Sequence, residues 1–214
     1  MSGAGAAMAR VHLEREQHSL AESQVAALAV LAERVRALNE VVVHTGAAED
    51  ELAAVSAEIA ALTERLSADP RRPHPPIAQA GRDGIFRQLA SPVTGPLNPI
   101  APPLDVEILP DGTARAEFTL NGVYEGPPTF VHGGVSAMIL DQLLGMAASA
   151  NGTPGMTATL DLRYRRPTPY GVPLAAEAKA TGADGRKSWC EGRVIDPEGR
   201  TTVEATAMFV MPRF

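Results

Sequence analysis

Cysteine is almost absent: Cys190 is the single one in 214 residues, so no internal disulfide framework exists and a reducing compartment is the simplest setting. Long apolar runs are lacking as well, and nothing approaches the roughly 20 residues that cross a bilayer. Residues 1–10 are small and carry a charged side chain only at Arg10, unlike a charged region followed by an apolar core. The expectation is a soluble cytoplasmic protein without a leader or membrane anchor. An excess of basic charge is missing too. The 19 Lys and Arg against 25 Asp and Glu leave a formal net charge of −6, which argues against nucleic acid or an anionic membrane surface as partner. What is present is ordinary globular material, 45% hydrophobic, ample for one packed domain plus an appendage.

Proline is missing from residues 12–68, which are rich in Ala, Glu, Leu and Arg, a helix composition. Leu28, Leu31, Val35, Leu38 and Val42 are spaced 3, 4, 3, 4, and Leu52, Val55, Ile59, Leu62 and Leu66 repeat that spacing after Thr45-Gly46. The pattern predicts two helices folded back as a hairpin that buries both stripes. One long helix frayed at Gly46 is the alternative, and it accounts less well for a glycine suited to a helix stop. His12, His18 and His44 have no partners in sequence and read as solvated surface. Clustered prolines from Pro70 to Pro76 close the helical region. The reading is therefore an N-terminal helical appendage over 1–68, a Pro-rich linker over 69–103 with a candidate short helix at 83–89, and a main domain over 104–214.

In the main domain the period becomes two. Ala114, Ala116, Phe118 and Leu120 alternate with Arg115, Glu117 and Thr119, and Pro110-Asp111-Gly112 turns back to a short run at 106–109. Later, Ala158, Leu160, Leu162 and Tyr164 alternate with Thr157, Thr159, Asp161, Arg163 and Arg165. Strands over 174–181, 187–195 and 201–211 follow, joined by Ala183-Asp184-Gly185 and Asp196-Pro197-Glu198-Gly199. Between the first two and the last four strands lies a run, residues 134–150, that is small or apolar on nearly every face. It reads as a fully buried helix in a β-β-α-β-β-β-β order. An α+β class follows: a curled antiparallel sheet wrapped around one long apolar helix. One sheet cannot cover the whole helix, so self-association is expected to finish the burial.

The helix has one anomaly, Asp141. Its neighbours at three and four residues, Ala137, Met138, Leu144 and Gly145, cannot pair with it. A buried carboxylate without a partner costs several kcal/mol, so its partner comes from elsewhere in the fold or from a ligand, in either a structural or a catalytic role. At the helix start, Gly133 and Gly134 permit close approach, and free N–H groups there can hold a developing oxyanion; a steric need for glycine where helix meets sheet is the other explanation. Gly133 and Asp141 lie eight residues apart, about 12 Å along one helix, so they cannot grip one carbonyl from the same subunit. If they cooperate, Asp141 meets Gly133 of a second chain.

His132-Gly133-Gly134 with an acid nine positions after the histidine, followed by Thr157 to Pro167, resembles the hotdog-fold acyl-CoA thioesterase superfamily. Glu-Gly-Pro-Pro-x-x-Val-His-Gly-Gly resembles the phenylacetate-pathway thioesterase group and its mitochondrial long-chain relatives, within the 4-hydroxybenzoyl-CoA thioesterase-like set. The resemblance spans roughly residues 104–211. It implies hydrolysis of an acyl-CoA thioester by a homodimer or homotetramer with the active site at the subunit interface, without metal or cofactor, coenzyme A being part of the substrate. Asp141 is then the general base or nucleophile, the Gly133 N–H of the facing subunit polarises the carbonyl, and Thr157 orients the water. His132 and Gly134 shape the substrate loop. The family's amide side chain before the histidine is replaced by Gly126 and Pro127, leaving Asn121 or Glu125 as substitutes. From the residues themselves, Arg163, Arg165 and Arg166 are candidates for coenzyme A phosphates, or else an ordinary solvated strand face. Trp189 and Tyr164 read as packing, and Cys190 has no activating neighbour. A non-hydrolytic acyl-CoA or acyl-carrier binding module and a dehydratase or hydratase of the same fold are the competing functions.

Overall fold

Stretches of period two form strands, and the apolar run forms a helix, in a computed structural model that describes residues 20–69, 88–102 and 104–211. Helices α1 (Glu22–His44) and α2 (Glu49–Ser67) come first. Strands β1 (Val106–Ile108) and β2 (Ala114–Thr119), a 3-10 turn (Gly122–Tyr124) and helix α3 (Gly133–Ala150) follow. Strands β3 (Met156–Tyr164), β4 (Pro173–Asp184), β5 (Lys187–Ile195) and β6 (Thr201–Val210) complete the chain. All pairings are antiparallel, in the order β1-β2-β4-β5-β6-β3. The hairpin turns fall where the sequence places them, and Gly185 and Gly199 take φ of 56° and 77°, which other residues rarely adopt.

The sheet curls so that all six strands touch α3, the hotdog architecture. Small side chains make this close approach possible. Ala114, Ala116, Ala176, Ala178, Ala205 and Ala207 line the concave face, and Leu140, Leu143, Leu144 and Ala147 of the helix have no exposed surface. Each of those leucines contributes about 1.5–3 kcal/mol of burial.

The helix is not buried on every side, contrary to the expectation from its composition. Gly133, Val135, Met138, Asp141, Gln142 and Gly145 stay half-buried, because β3 ends the sheet and none of the described residues lies beyond it. β3 itself is exposed at seven of its nine positions. A strand with both faces this open presents unpaired backbone groups along its free edge.

The two N-terminal helices break at Thr45-Gly46 as expected, but their stripes do not bury each other. Ala32 is the one buried residue of α1 and α2 has none, with Leu52 and Leu66 at 43% and 59% exposure. The reason is that α1 spends its contacts on the main domain. Arg36 donates from Nε to Ala101 O (3.1 Å) and from Nη2 to Asn98 O (3.2 Å). His44 lies so close to Gly122 that a Cβ there would meet its Nε2 at 2.3 Å. Val93 and Leu104 join the core around α3, and Ala101 is buried beside Arg36 of α1. His12, His18 and residues 83–87 of the expected short helix lie outside the described residues.

Candidate active site

The loop before α3 is tied down at every step. Asn121 Oδ1 accepts from Val123 N (3.2 Å) to start the 3-10 turn, and Glu125 Oε1 accepts from Thr129 N (2.7 Å). Thr129 has φ of 71°, an unfavourable left-handed conformation for a β-branched residue that the Glu125 bond helps to hold. Both side chains considered as substitutes for the family's amide are thus occupied in shaping the loop. A Cβ at Gly126 would lie 2.7 Å from His132 Cα, so the loop closes only over glycine. Val131 N donates to Thr168 O and His132 N to Tyr124 O, which fixes where the helix begins.

His132 is the N-cap of α3, and its Nδ1 accepts from Gly134 N at 3.0 Å. The Gly134 N–H is therefore already paired, whereas the Gly133 N–H has no acceptor among the described residues. Tyr164 Oη donates to Gly133 O (3.0 Å), and its ring would lie 3.2 Å from a Cβ at position 133. The packing role read for Tyr164 is thus played against the helix start, from a side chain that remains 57% exposed.

Asp141 is half-buried and accepts at Oδ1 a 2.9 Å hydrogen bond from Thr157 Oγ1. The partner that its helix neighbours cannot supply comes from β3, and the expected cost of full burial is not incurred. Strict alternation puts Thr157 on the outer face of β3 beside Thr159, Asp161 and Arg163. The structure corrects this: the β3–β6 register steps from Thr157 opposite Phe209 to Thr159 opposite Met208, leaving Ala158 as a bulge. Thr157 therefore shares the concave face with buried Phe209, and with Leu160 and Leu162 beyond the bulge.

Asp141 and Thr157 line a cleft of about 1110 Å³ between α3, the start of β3 and the turns of residues 88–106. Gln142, Gly145, Met146 and Ser149 continue its helix wall. Leu89, Pro92, Pro96 and Leu104 face them across the cleft. Sequence reasoning missed Gln142 and this opposite wall, since proline-rich turns have no period to read. Gly133 is not in the cleft; it lies about 12 Å along the helix from Asp141.

None of the three arginines reaches this cleft. Arg165 donates from Nε and Nη2 to Glu204 Oε2 (2.9 and 2.7 Å), a bond that holds the Glu204 carboxyl below the ordinary range. Arg166 Nη1 donates to Thr201 O (3.1 Å). Arg163, on the outer face opposite Glu204, makes no ion pair among the described residues. Cys190 is buried, and burial pushes its thiol up to about 11, an inert side chain. Trp189 is 39% exposed rather than part of the core. Among the described residues no cluster of His, Cys, Asp or Glu is arranged to hold a metal ion, and no helix is long and apolar enough to cross a membrane.

The model of the thioesterase superfamily matches residues 129–203. The acyl-coenzyme A thioesterase THEM4 of Xenopus laevis is 36% identical over 88 residues, covering 40% of this chain and 39% of the relative. The Mus musculus protein of the same name is also 36% identical over 88 residues, covering 40% and 37%. The match thus spans about two fifths of the length of these curated relatives. A crystal structure described as a thioesterase superfamily protein superposes with a TM-score of 0.78 at 35% identity, over 86% of this chain and 90% of that one.

Proposed function

The chain belongs to the thioesterase superfamily, and from that premise we propose that it hydrolyses acyl-CoA thioesters to the free acid and coenzyme A. The observation that carries the reading is the Asp141–Thr157 pair, a carboxylate and a hydroxyl joined at 2.9 Å on the wall of a cleft large enough for an acyl group. A carboxylate held by one hydroxyl keeps its second oxygen for a water molecule. In the proposed reaction that water attacks the thioester carbon and gives its proton to Asp141, while the hydroxyl of Thr157 fixes the carboxylate. The C–S bond then breaks, and the proton returns to the leaving thiolate. Direct attack by Asp141 through a mixed anhydride, opened by water in a second step, satisfies the same geometry.

The carbonyl oxygen needs a donor where its negative charge develops. We assign that role to the N–H of the partner subunit's Gly133, at the positive end of α3. Two observations support a homodimeric site: Gly133 and Asp141 are too far apart on one helix to share a carbonyl, and β3 offers a free edge beside the half-exposed face of α3. Pairing of dimers into a tetramer is an extension of the same proposal. His132 serves as the cap that aims this N–H, and the outer-face Arg163 is the arginine left to meet coenzyme A phosphates. The reaction calls on no metal or separate cofactor, and the cytoplasm is its proposed setting. The N-terminal helices over 1–68 are read as an appendage to the hydrolase domain, joined through the 69–103 segment.

The test is release of free coenzyme A by the purified full chain, across acyl-CoAs from acetyl to palmitoyl and phenylacetyl. Turnover with at least one is the expected result. Tight acyl-CoA binding by the folded protein with no turnover on any would transfer the reading to a non-hydrolytic binding module.

A further inference from the structure

Gln142 stands beside Asp141 in the cleft, half-buried, and the reaction outlined above leaves it without a task. Its orientation is set from behind. Ser91 is buried, and its Oγ accepts from both Val93 N (3.2 Å) and Thr94 N (3.3 Å), so its lone pairs are occupied. Gln142 Oε1 is the side-chain acceptor nearest the remaining hydroxyl proton, 3.5 Å from Oγ, a polar contact at the outer limit of a hydrogen bond. That contact turns the carbonyl end of the amide to the wall and its NH2 end away from it, and those N–H groups have no acceptor among the described residues.

The wall behind Ser91 is held in place too. Asn98 Nδ2 donates to Ala90 O (3.1 Å), and Arg36 of α1 grips the carbonyls of Asn98 and Ala101. Gln142 is thus an oriented donor on a braced support. When an acyl chain fills the cleft and displaces water, a plain hydrocarbon leaves both N–H groups unpaired. An acyl group carrying an oxygen at that height satisfies one. Sites that present a buried polar group discriminate strongly against the analogue that lacks its partner.

We infer that the cleft selects acyl groups bearing a hydrogen-bond-accepting oxygen, hydroxy- or oxo-acyl rather than plain alkyl, and that Gln142 is the residue that reads this oxygen. The inference rests on the acyl-CoA hydrolase reading and narrows its substrate class.

The experiment measures kcat and KM of the full chain on matched pairs, 3-hydroxybutyryl-CoA and acetoacetyl-CoA against butyryl-CoA, and 4-hydroxybenzoyl-CoA against benzoyl-CoA. The expected result is kcat/KM about tenfold higher for an oxygenated member of a pair. Gln142→Met, similar in volume without the donors, should reduce that ratio to about one by raising KM for the oxygenated substrate. Gln142→Glu, which has the shape but no N–H, should do the same and serves as the second variant if the first does not fold. Equal rates within every pair for the wild type, or a preference that survives in the folded variants, overturns the inference and leaves the hydrolase reading standing. No coenzyme A released from any of the five by the wild type overturns the inference, and the hydrolase reading falls with it only if the acetyl-to-palmitoyl and phenylacetyl series is not turned over either.

Discussion

Thr157 Oγ1 reaches Asp141 Oδ1, at 2.9 Å, because one residue, Ala158, drops out of the β3–β6 ladder between Thr157 and Thr159. The bulge moves a hydroxyl from the outer face of the sheet to the helix side without changing the length of the strand. Everything proposed for catalysis depends on that exchange of faces.

Asp141→Asn should reduce hydrolysis by at least about 100-fold, the usual contribution of a general base, because an amide cannot take the proton. Its Oδ1 still accepts from Thr157, so far-ultraviolet circular dichroism and the melting temperature should stay close to wild type. Unfolding of this variant would point to a structural Asp141 instead.

Removal of the hydroxyl alone is the milder change. Thr157→Val keeps the volume, and we expect a fall in kcat of about tenfold to 100-fold with KM little altered, since an orienting hydrogen bond is lost but the carboxylate remains. Thr157→Ser restores the donor and should recover most of the rate; equal activity of the Val and Ser variants would contradict the role.

Gly133→Pro deletes one N–H at a helix position that tolerates proline, and His132 already has the extended ψ of 132° that suits a residue before proline. The new ring must displace the exposed Tyr164 ring, 3.2 Å from the added Cβ. Activity should drop by about 100-fold or more with helix content unchanged, the cost of an oxyanion donor. Mixed by refolding with Asp141→Asn chains, it should regain about a quarter of wild-type activity, since half the dimers are mixed and each carries one intact site. No recovery would place both groups in the service of one chain.

Cys190 gives a prediction with a defined pH window. Its thiol is pushed from an ordinary value near 9 to about 11 in the fold, so the folded state keeps a proton that the unfolded state releases. Stability is unaffected by this group below pH 9 and declines as the pH rises from about 9 towards 11. A chromogenic disulfide reagent at pH 8 should find no reactive thiol in the native protein and one in urea. Reaction of the native protein at pH 8 would show that the thiol is accessible.

Much of this site is legible in the sequence, and the exceptions share a cause. Asp141 stands out as an acid in an apolar helix, whereas His132 and Gly133 enter the candidate site through the family resemblance, since paired glycines at a helix start have a steric explanation as well. Residues 187–195 form β5 with the bounds that alternation assigns. Thr157 is named but put on the wrong face, since a bulge leaves no mark on residue types. Gln142 and Ser91 are missed because an amide on a helix and a serine in a turn look like surface until tertiary contacts pair them. The burial of the Leu52 to Leu66 stripe is over-read for the opposite reason: heptad spacing states that a helix has an apolar side and is silent on whether that side is covered.

Helix α2 spans 19 residues with no side chain buried among the described residues, so it goes without the tertiary packing from which most helical stability in proteins comes. In time rather than in space, the molecule then divides in two. Amide protons of β4, β5 and β6 should survive deuterium for as long as the whole domain stays folded, while those of α2 exchange through local opening. A protease added in trace amounts should cut there first, and slowing of that cut on raising the protein concentration would register the moment at which the leucine stripe finds cover.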